Sequence, residues 1–265
     1  MSEEQSTVED WTHGGSGIDR CLSFTIGGPW GHFRRVEGNI VKQTYRVIPR
    51  TTVAGLVAAI LGIGRDEYYD LFAPDASAVA VEPTSGLRTM NMPMNTLSTA
   101  KGSMKTLNSR GSLSISFPDS TDNRQQHNYE VLVEPSYRID LWLDDDGTYA
   151  RLKETLEDGR SEYVPSLGLS EYLAEIEYHG EFEPESDGSG DVVEVSSTVP
   201  SDDVIPEEGT EFRMEKPPAF MTADSGGRRT TAFVSYSYSP DAEPLKVRGG
   251  DVETRKVDGR RVVFV

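Results

Sequence analysis

The chain has 265 residues, 36% of them hydrophobic and 26% charged, enough for one large domain or one domain with a small extension. No run of about 18 apolar residues occurs, which argues against a membrane-spanning helix. The acidic start MSEEQSTVEDW lacks both the basic and the apolar stretches of a secretory leader, so a cytoplasmic protein is expected. The net charge of −18 is the wrong sign for binding polyanions by bulk attraction.

The charge is unevenly placed. From Arg34 to Arg50 the chain carries Arg34, Arg35, Lys42, Arg46 and Arg50 against Glu37 alone. From Arg88 to Arg124 it adds Lys101, Lys105 and Arg110, opposed only by Asp119 and Asp122. Basic islands in an acidic chain say more about partners than the total does. Arg far outnumbers Lys, and the acidic surplus is that of a chain soluble in molar salt, as in halophilic archaea. At about 1 M salt the Debye length is about 3 Å, so distant acidic charge hardly opposes a nucleic acid. Cys21, the one cysteine, sits in an apolar run and reads as buried. His13, His32, His127 and His179 have no ligand spacing, and no metal or cofactor is expected.

In chain order, residues 1–19 read as a flexible, Gly-ended tail. CLSFTI at 21–26 alternates as a strand and stops at Gly27-Gly28-Pro29. An Arg- and aromatic-rich loop leads to the clearest helix, with Thr51 and Thr52 as N-cap candidates. Val53, Leu56, Val57 and Ile60 form its apolar stripe, Gly55 and Ala59 a small pair for close approach to a sheet, and Gly62 and Gly64 its end. A short helix is predicted over 66–72, then a strand over 78–82. Residues 83–129 are long, polar and weakly periodic, a pattern that is usually functional or disordered. Strand pattern returns at 130–134 and 137–143, followed by helices predicted over 149–156 and 169–176. An acidic stretch over 181–211 and strand-like runs at 231–238 and 261–265 complete the chain. The boundaries are therefore 20–180 for the main domain, with an insertion at about 83–129, and 181–265 for an acidic loop and a small β-rich region. The order strand–helix–strand, insertion, strand–helix–strand fits an α+β, ferredoxin-like (RRM-like) sheet.

Tyr45-Arg46-Val47-Ile48-Pro49-Arg50-Thr51-Thr52, with Gly55-Leu56 and Ile60-Leu61-Gly62-Ile63, resembles the N-terminal signature of the fifth family of CRISPR-associated (Cas) proteins, in the RAMP superfamily. Gly31-His32-Phe33-Arg34 and Tyr163-Val164-Pro165-Ser166-Leu167-Gly168-Leu169 fit the same pattern, in details most similar to haloarchaeal subtype I-B members; the last third matches only loosely. The resemblance implies a RAMP domain with a long inserted β-hairpin, or thumb, for which 83–129 is the candidate. It implies a structural subunit of a type I Cascade complex in antiviral defence that holds the 5′ handle of the crRNA and caps the backbone. The implied partners are that handle, the backbone, large and processing subunits and, indirectly, target DNA.

The RNA-binding candidates are Arg34, Arg35, Lys42, Arg46 and Arg50 with the helix start at Thr51 and Thr52. In the insertion they are Met92, Met94, Lys101, Lys105, Arg124, Gln126 and His127. Trp30 and Phe33 read either as base-stacking rings or as buried anchors. Arg228 and Arg229 follow a short Gly-rich stretch that only partly matches a loop common in the superfamily. The alternative is a metal-free endoribonuclease, as in subtype I-C, in which His32, Tyr45 and Lys42 supply a base and a cation. A generic RRM is disfavoured because no aromatic RNP motif is found.

Overall fold

The computed structural model describes residues 17–35, 41–97, 124–187, 190–200, 203–224 and 227–265. Side chains on a strand alternate between faces, so the apolar set of β1 (Cys21–Gly27) splits. Leu22, Phe24 and Ile26 join the main hydrophobic cluster, while Cys21 joins a second, smaller one. Four strands form the central sheet: β1, β2 (Ser77–Pro83), β5 (Ser136–Leu143) and β6 (Glu175–Phe182), with β3 (Arg88–Leu97) and β4 (Arg124–Val133) inserted between β2 and β5. Their spatial order is β6-β1-β5-β2, every neighbour antiparallel. The register sets Leu141 between Leu22 and Val79, and Ile139 between Phe24 and Val81, which builds a continuous apolar face.

Helices α1 (Arg50–Leu61) and α2 (Asp146–Glu157) bury that face with Val53, Leu56, Val57, Ile60, Tyr149 and Leu152. With β3 and β4 set aside, the path is β-α-β-β-α-β, the expected ferredoxin-like frame. Thr51 and Thr52 do not cap α1. Pro49 occupies the N-cap with φ −65° and ψ 148°, no side chain caps it, and both threonines fall in the first turn. Gly62 ends α1 in the left-handed region, φ 69°, as its position suggests. Gly55 looks away from the sheet: a Cβ there would sit 3.3 Å from Tyr68 Oη.

Two predicted helices shrink or vanish. Only Asp70–Phe72 makes a 3-10 turn in the 66–72 segment. Residues 169–176 are not helical; a turn closed by a Ser166–Leu173 bridge leads into β6, whose sequence EIEYHGEF extends along β1. Beyond β6 the chain makes short strand pairs: Val192–Val195 with Leu245–Arg248, Pro218–Asp224 with Gly227–Phe233, and Arg255–Val257 with Arg260–Val262. Val193, Val195, Tyr236, Leu245 and Val247 share the main cluster with the helices, so this region and the central sheet are built on one core. Val265 and Val79 exchange two backbone hydrogen bonds of 3.0 Å, tying the last residue to the edge of β2.

Candidate nucleic-acid interface

The insertion is a β-hairpin. Strands β3 (Arg88–Leu97) and β4 (Arg124–Val133) pair antiparallel from Arg88–Val133 out to Leu97–Arg124. Lys101 and Lys105 lie outside the described residues, and Arg124 is placed by its backbone at the outer end of the stem. Directly opposed residues share a face. One face carries the pairs Met90–Val131, Met92–Tyr129 and Met94–His127; the other carries Asn91–Glu130, Pro93–Asn128 and Asn95–Gln126. Gln126 and His127, neighbours in sequence, therefore point to opposite sides. Met92 and Met94 pack against the main core, and Tyr172 Oη lies 4.0 Å from Met92 Sδ. His127 stacks edge-on to Tyr129 with ring centroids 6.4 Å apart. The polar face has its Asn and Gln side chains exposed.

The loop before α1 docks on this stem. Trp30 and Gly31 pair with Val133 and Leu132 at its base, and Val41 and Lys42 run parallel to Asn128 and Tyr129 further out. Phe33–Arg34 pairs with Thr44–Tyr45, leaving Arg34 exposed and Lys42 half-buried. The Arg35 guanidinium lies 5.2 Å over the Tyr45 ring. Phe33 is a buried anchor against Tyr137, and Trp30 is half-buried against the same core.

Arg46 is held at every polar group. Its guanidinium donates to Glu130 Oε1 at 2.7 Å and to Thr44 O at 3.1 Å; its backbone N–H donates to the Glu215 carboxylate at 3.0–3.1 Å; and Tyr137 Oη donates to its carbonyl. Glu130 also accepts from Thr44 N at 3.2 Å and Thr89 Oγ1 at 3.4 Å, so one carboxylate joins both hairpin strands to the loop. Burial pushes Glu130 up, but the hydrogen bonds from Arg46, Thr44 and Thr89 outweigh it and hold the carboxyl below its usual range. Glu215 behaves oppositely. Burial dominates the Arg46 and Val47 N–H bonds and holds it above that range. Neither glutamate stands out in the sequence, because their partners are distant in the chain.

The structure places Arg50, an RNA-binding candidate from the sequence, inside the core rather than on the surface. It is 6% exposed, and its guanidinium donates to Val265 O, to Phe72 O at 3.2 Å, and to Ser77 O and Oγ at 2.9 and 2.7 Å. Burial lowers its pKa to about 10. The side chain thus clamps the start of α1 to β2 and to the C-terminal residue. Thr51 and Thr52 are half-buried beside it, and Thr52 N already donates to Pro49 O at 2.8 Å. Arg228 is ion-paired to Asp66 beyond α1.

His32 is 1% exposed. Its Nδ1 meets the Glu130 carbonyl at 2.8 Å, its ring lies edge-on to Tyr129 at 5.1 Å, and its Nε2 is buried without a hydrogen-bond partner. Burial holds the imidazole below its usual range against the pull of that carbonyl. Gly168 packs on the His32 backbone: its φ is +93°, and a Cβ there would lie 2.0 Å from His32 O. Tyr45 is also buried, its Oη donating to Lys216 O at 3.3 Å.

The face of the central sheet opposite the helices, which an RRM offers to RNA, is covered here. Cys21, Ala78, Ala80 and Trp142 on that face pack against Ile18, Val257, Val262 and Phe264. Arg260 reaches down to Glu82 at 2.5 Å and to both oxygens of fully buried Asp140 at 2.9 and 3.1 Å. Arg138 bonds Ser23 Oγ at 2.9 Å and Asp258 at 2.7 Å. The hairpin and its docked loop, in contrast, present an exposed polar surface. Among their described residues, 30–35, 41–46, 88–97 and 124–134, the carboxylates are Glu130 and Glu134, paired with Arg46 and Arg88.

The family model Cas_Cas5d, described as CRISPR-associated protein (Cas_Cas5), matches residues 21–240. A solved structure titled "CRISPR RNA-guided surveillance complex" superposes with a TM-score of 0.53 at 12% identity, covering 86% of this chain and 91% of that one. "Crystal structure of a CRISPR protein from Archaeoglobus fulgidus" gives a TM-score of 0.51 at 14% identity, covering 92% and 98%. At these identities the likeness concerns the fold. No protein of curated function matches the chain. A match over 21–240, joined to a ferredoxin-like sheet with a hairpin inserted between its second and third core strands, places this chain in the Cas5 family of CRISPR-associated proteins.

Proposed function

We propose that this Cas5 protein is the crRNA-handle subunit of a subtype I-B Cascade complex of haloarchaeal type. In this reading it is a cytoplasmic scaffold without catalytic activity. It grips the 5′ handle between the loop around Arg34–Arg46 and the inserted hairpin. Backbone, large and processing subunits bind around it, and target DNA is engaged through the assembly. The observation that carries the reading is the charge map: in a chain of net charge −18, the exposed hairpin and loop present no carboxylate without an arginine among their described residues. Arg34, Arg35 and Lys42 sit on that surface, and amide donors line its stem. Such a surface admits a polyanion where the rest of the molecule repels it.

The nuclease reading needs a base at the RNA. His32, its best candidate, is shielded behind Tyr129 and Glu130, and Tyr45 is buried. Two experiments test the proposal. Co-expression with the other complex subunits and a cognate guide should co-purify this chain with crRNA, and deletion of residues 92–126 should abolish that assembly while monomer folding persists. Specific cleavage of cognate repeat RNA by the purified chain, without divalent metal, would sink the scaffold reading.

A further inference from the structure

The polar face of the hairpin carries four side-chain amides: Asn91, Asn95, Gln126 and Asn128. All four are exposed, and none has a side-chain hydrogen bond to another described residue. The register stacks them in rungs: Asn95 beside Gln126, then Asn128 beside Pro93, then Asn91 beside Glu130. Rungs on one face are two residues apart, about 6.8 Å. That is about twice the 3.4 Å spacing of stacked bases in one strand. Each rung therefore meets every second base of a stacked strand, or successive bases of an unstacked one.

The chemistry of the rungs is selective. An amide is neutral, so it adds nothing to the long-range attraction of phosphates, and it holds donors and an acceptor side by side. A base edge offers donors and acceptors side by side, which an amide matches in a bidentate pair, as Asn and Gln do with adenine. Pro93, lacking an N–H, interrupts the donors along β3, whose described pairing is with β4 alone, so strand addition at that edge is disfavoured and the face is what remains to a partner. Glu130 on the third rung is neutralised by Arg46 and does not repel the strand.

We infer that Asn91, Asn95, Gln126 and Asn128 form a base-reading surface for single-stranded RNA, while Arg34, Arg35 and Lys42 supply its phosphate attraction. This division rests on the RNA-binding reading above and adds to it where sequence discrimination resides. The test uses the full chain and labelled oligo-A, oligo-C and oligo-U of equal length, with dissociation constants measured across a salt series. Wild type should prefer one oligomer by about tenfold or more, the value of one good bidentate pair. The variants Asn95→Ala/Gln126→Ala and Asn91→Ala/Asn128→Ala should each cut that preference at least about fivefold with an unchanged salt slope. Arg34→Ala/Lys42→Ala should keep the preference and lower the slope by about one per lost phosphate contact. Amide variants that retain the preference, or that weaken all oligomers equally, overturn the inference, as does wild-type binding without preference. Failure of the wild type to bind any oligomer overturns the RNA-binding reading as well.

Discussion

Two polar β-surfaces of this protein have opposite fates. On the back of the central sheet, Ser23, Glu82, Arg138 and Asp140 are met by Arg260 and Asp258 of the C-terminal region. On the hairpin, Asn91, Asn95, Gln126 and Asn128 stand exposed. Both surfaces alternate polar residues along strands, and the pattern alone does not tell them apart. What differs is whether a distant segment brings complementary groups. The back of the sheet is satisfied within the chain; the hairpin face is left to solvent.

The sharpest way to break the comparison is Arg260→Ala. It strands the Asp140 carboxylate, 1% exposed at its side chain, without its cation. Removing one partner of a buried pair costs about 3–5 kcal/mol, to be read from denaturant unfolding at constant salt. A loss under about 1 kcal/mol would show that water reaches this network. Gly168→Ala comes next. A left-handed φ and a Cβ overlapping His32 O should cost about 1–3 kcal/mol and displace the loop that carries Arg34.

Glu130→Gln probes the joint between loop and hairpin. Loss of the charge-assisted bond to Arg46 should cost about 1–2 kcal/mol, visible as faster amide exchange along β3 and β4 rather than as global unfolding. The pH dependence follows from the sign. The folded carboxyl lies below the usual carboxylate range, so its contribution is complete above that range and is lost as pH falls through the folded pKa. The Gln variant should lack this step in an acid titration of hairpin exchange; an identical step in both proteins would assign it to another group. Arg34→Ala is the smallest change in stability, within about 0.5 kcal/mol because the side chain is exposed. Its effect belongs to binding, as a shallower salt dependence for RNA.

Local signals were legible where period and end chemistry act within a few residues. The alternation of 21–26, the apolar stripe from Val53 to Ile60 and the Gly62 stop all appear in the structure as read. The insertion stood out as a long polar stretch, but its division into a methionine face and an amide face required the register of Arg88–Leu97 against Arg124–Val133. The predicted helix over 169–176 failed because β1 captures Glu175–Phe182 as its edge partner, a pairing between residues about 150 positions apart.

By itself the sequence determined the frame of the core, the position of the insertion and the family, since these depend on hydrophobic period, glycine stops and a contiguous motif. Only the tertiary structure decided which charged residues are buried in pairs and which stay exposed. Arg46 and Arg50 lie four apart in that motif and look alike, yet one holds Glu130 beside the hairpin and the other is sealed against Val265, 215 positions away. A charged side chain is assigned by the groups that surround it, and those groups arrive from parts of the chain that no local pattern connects.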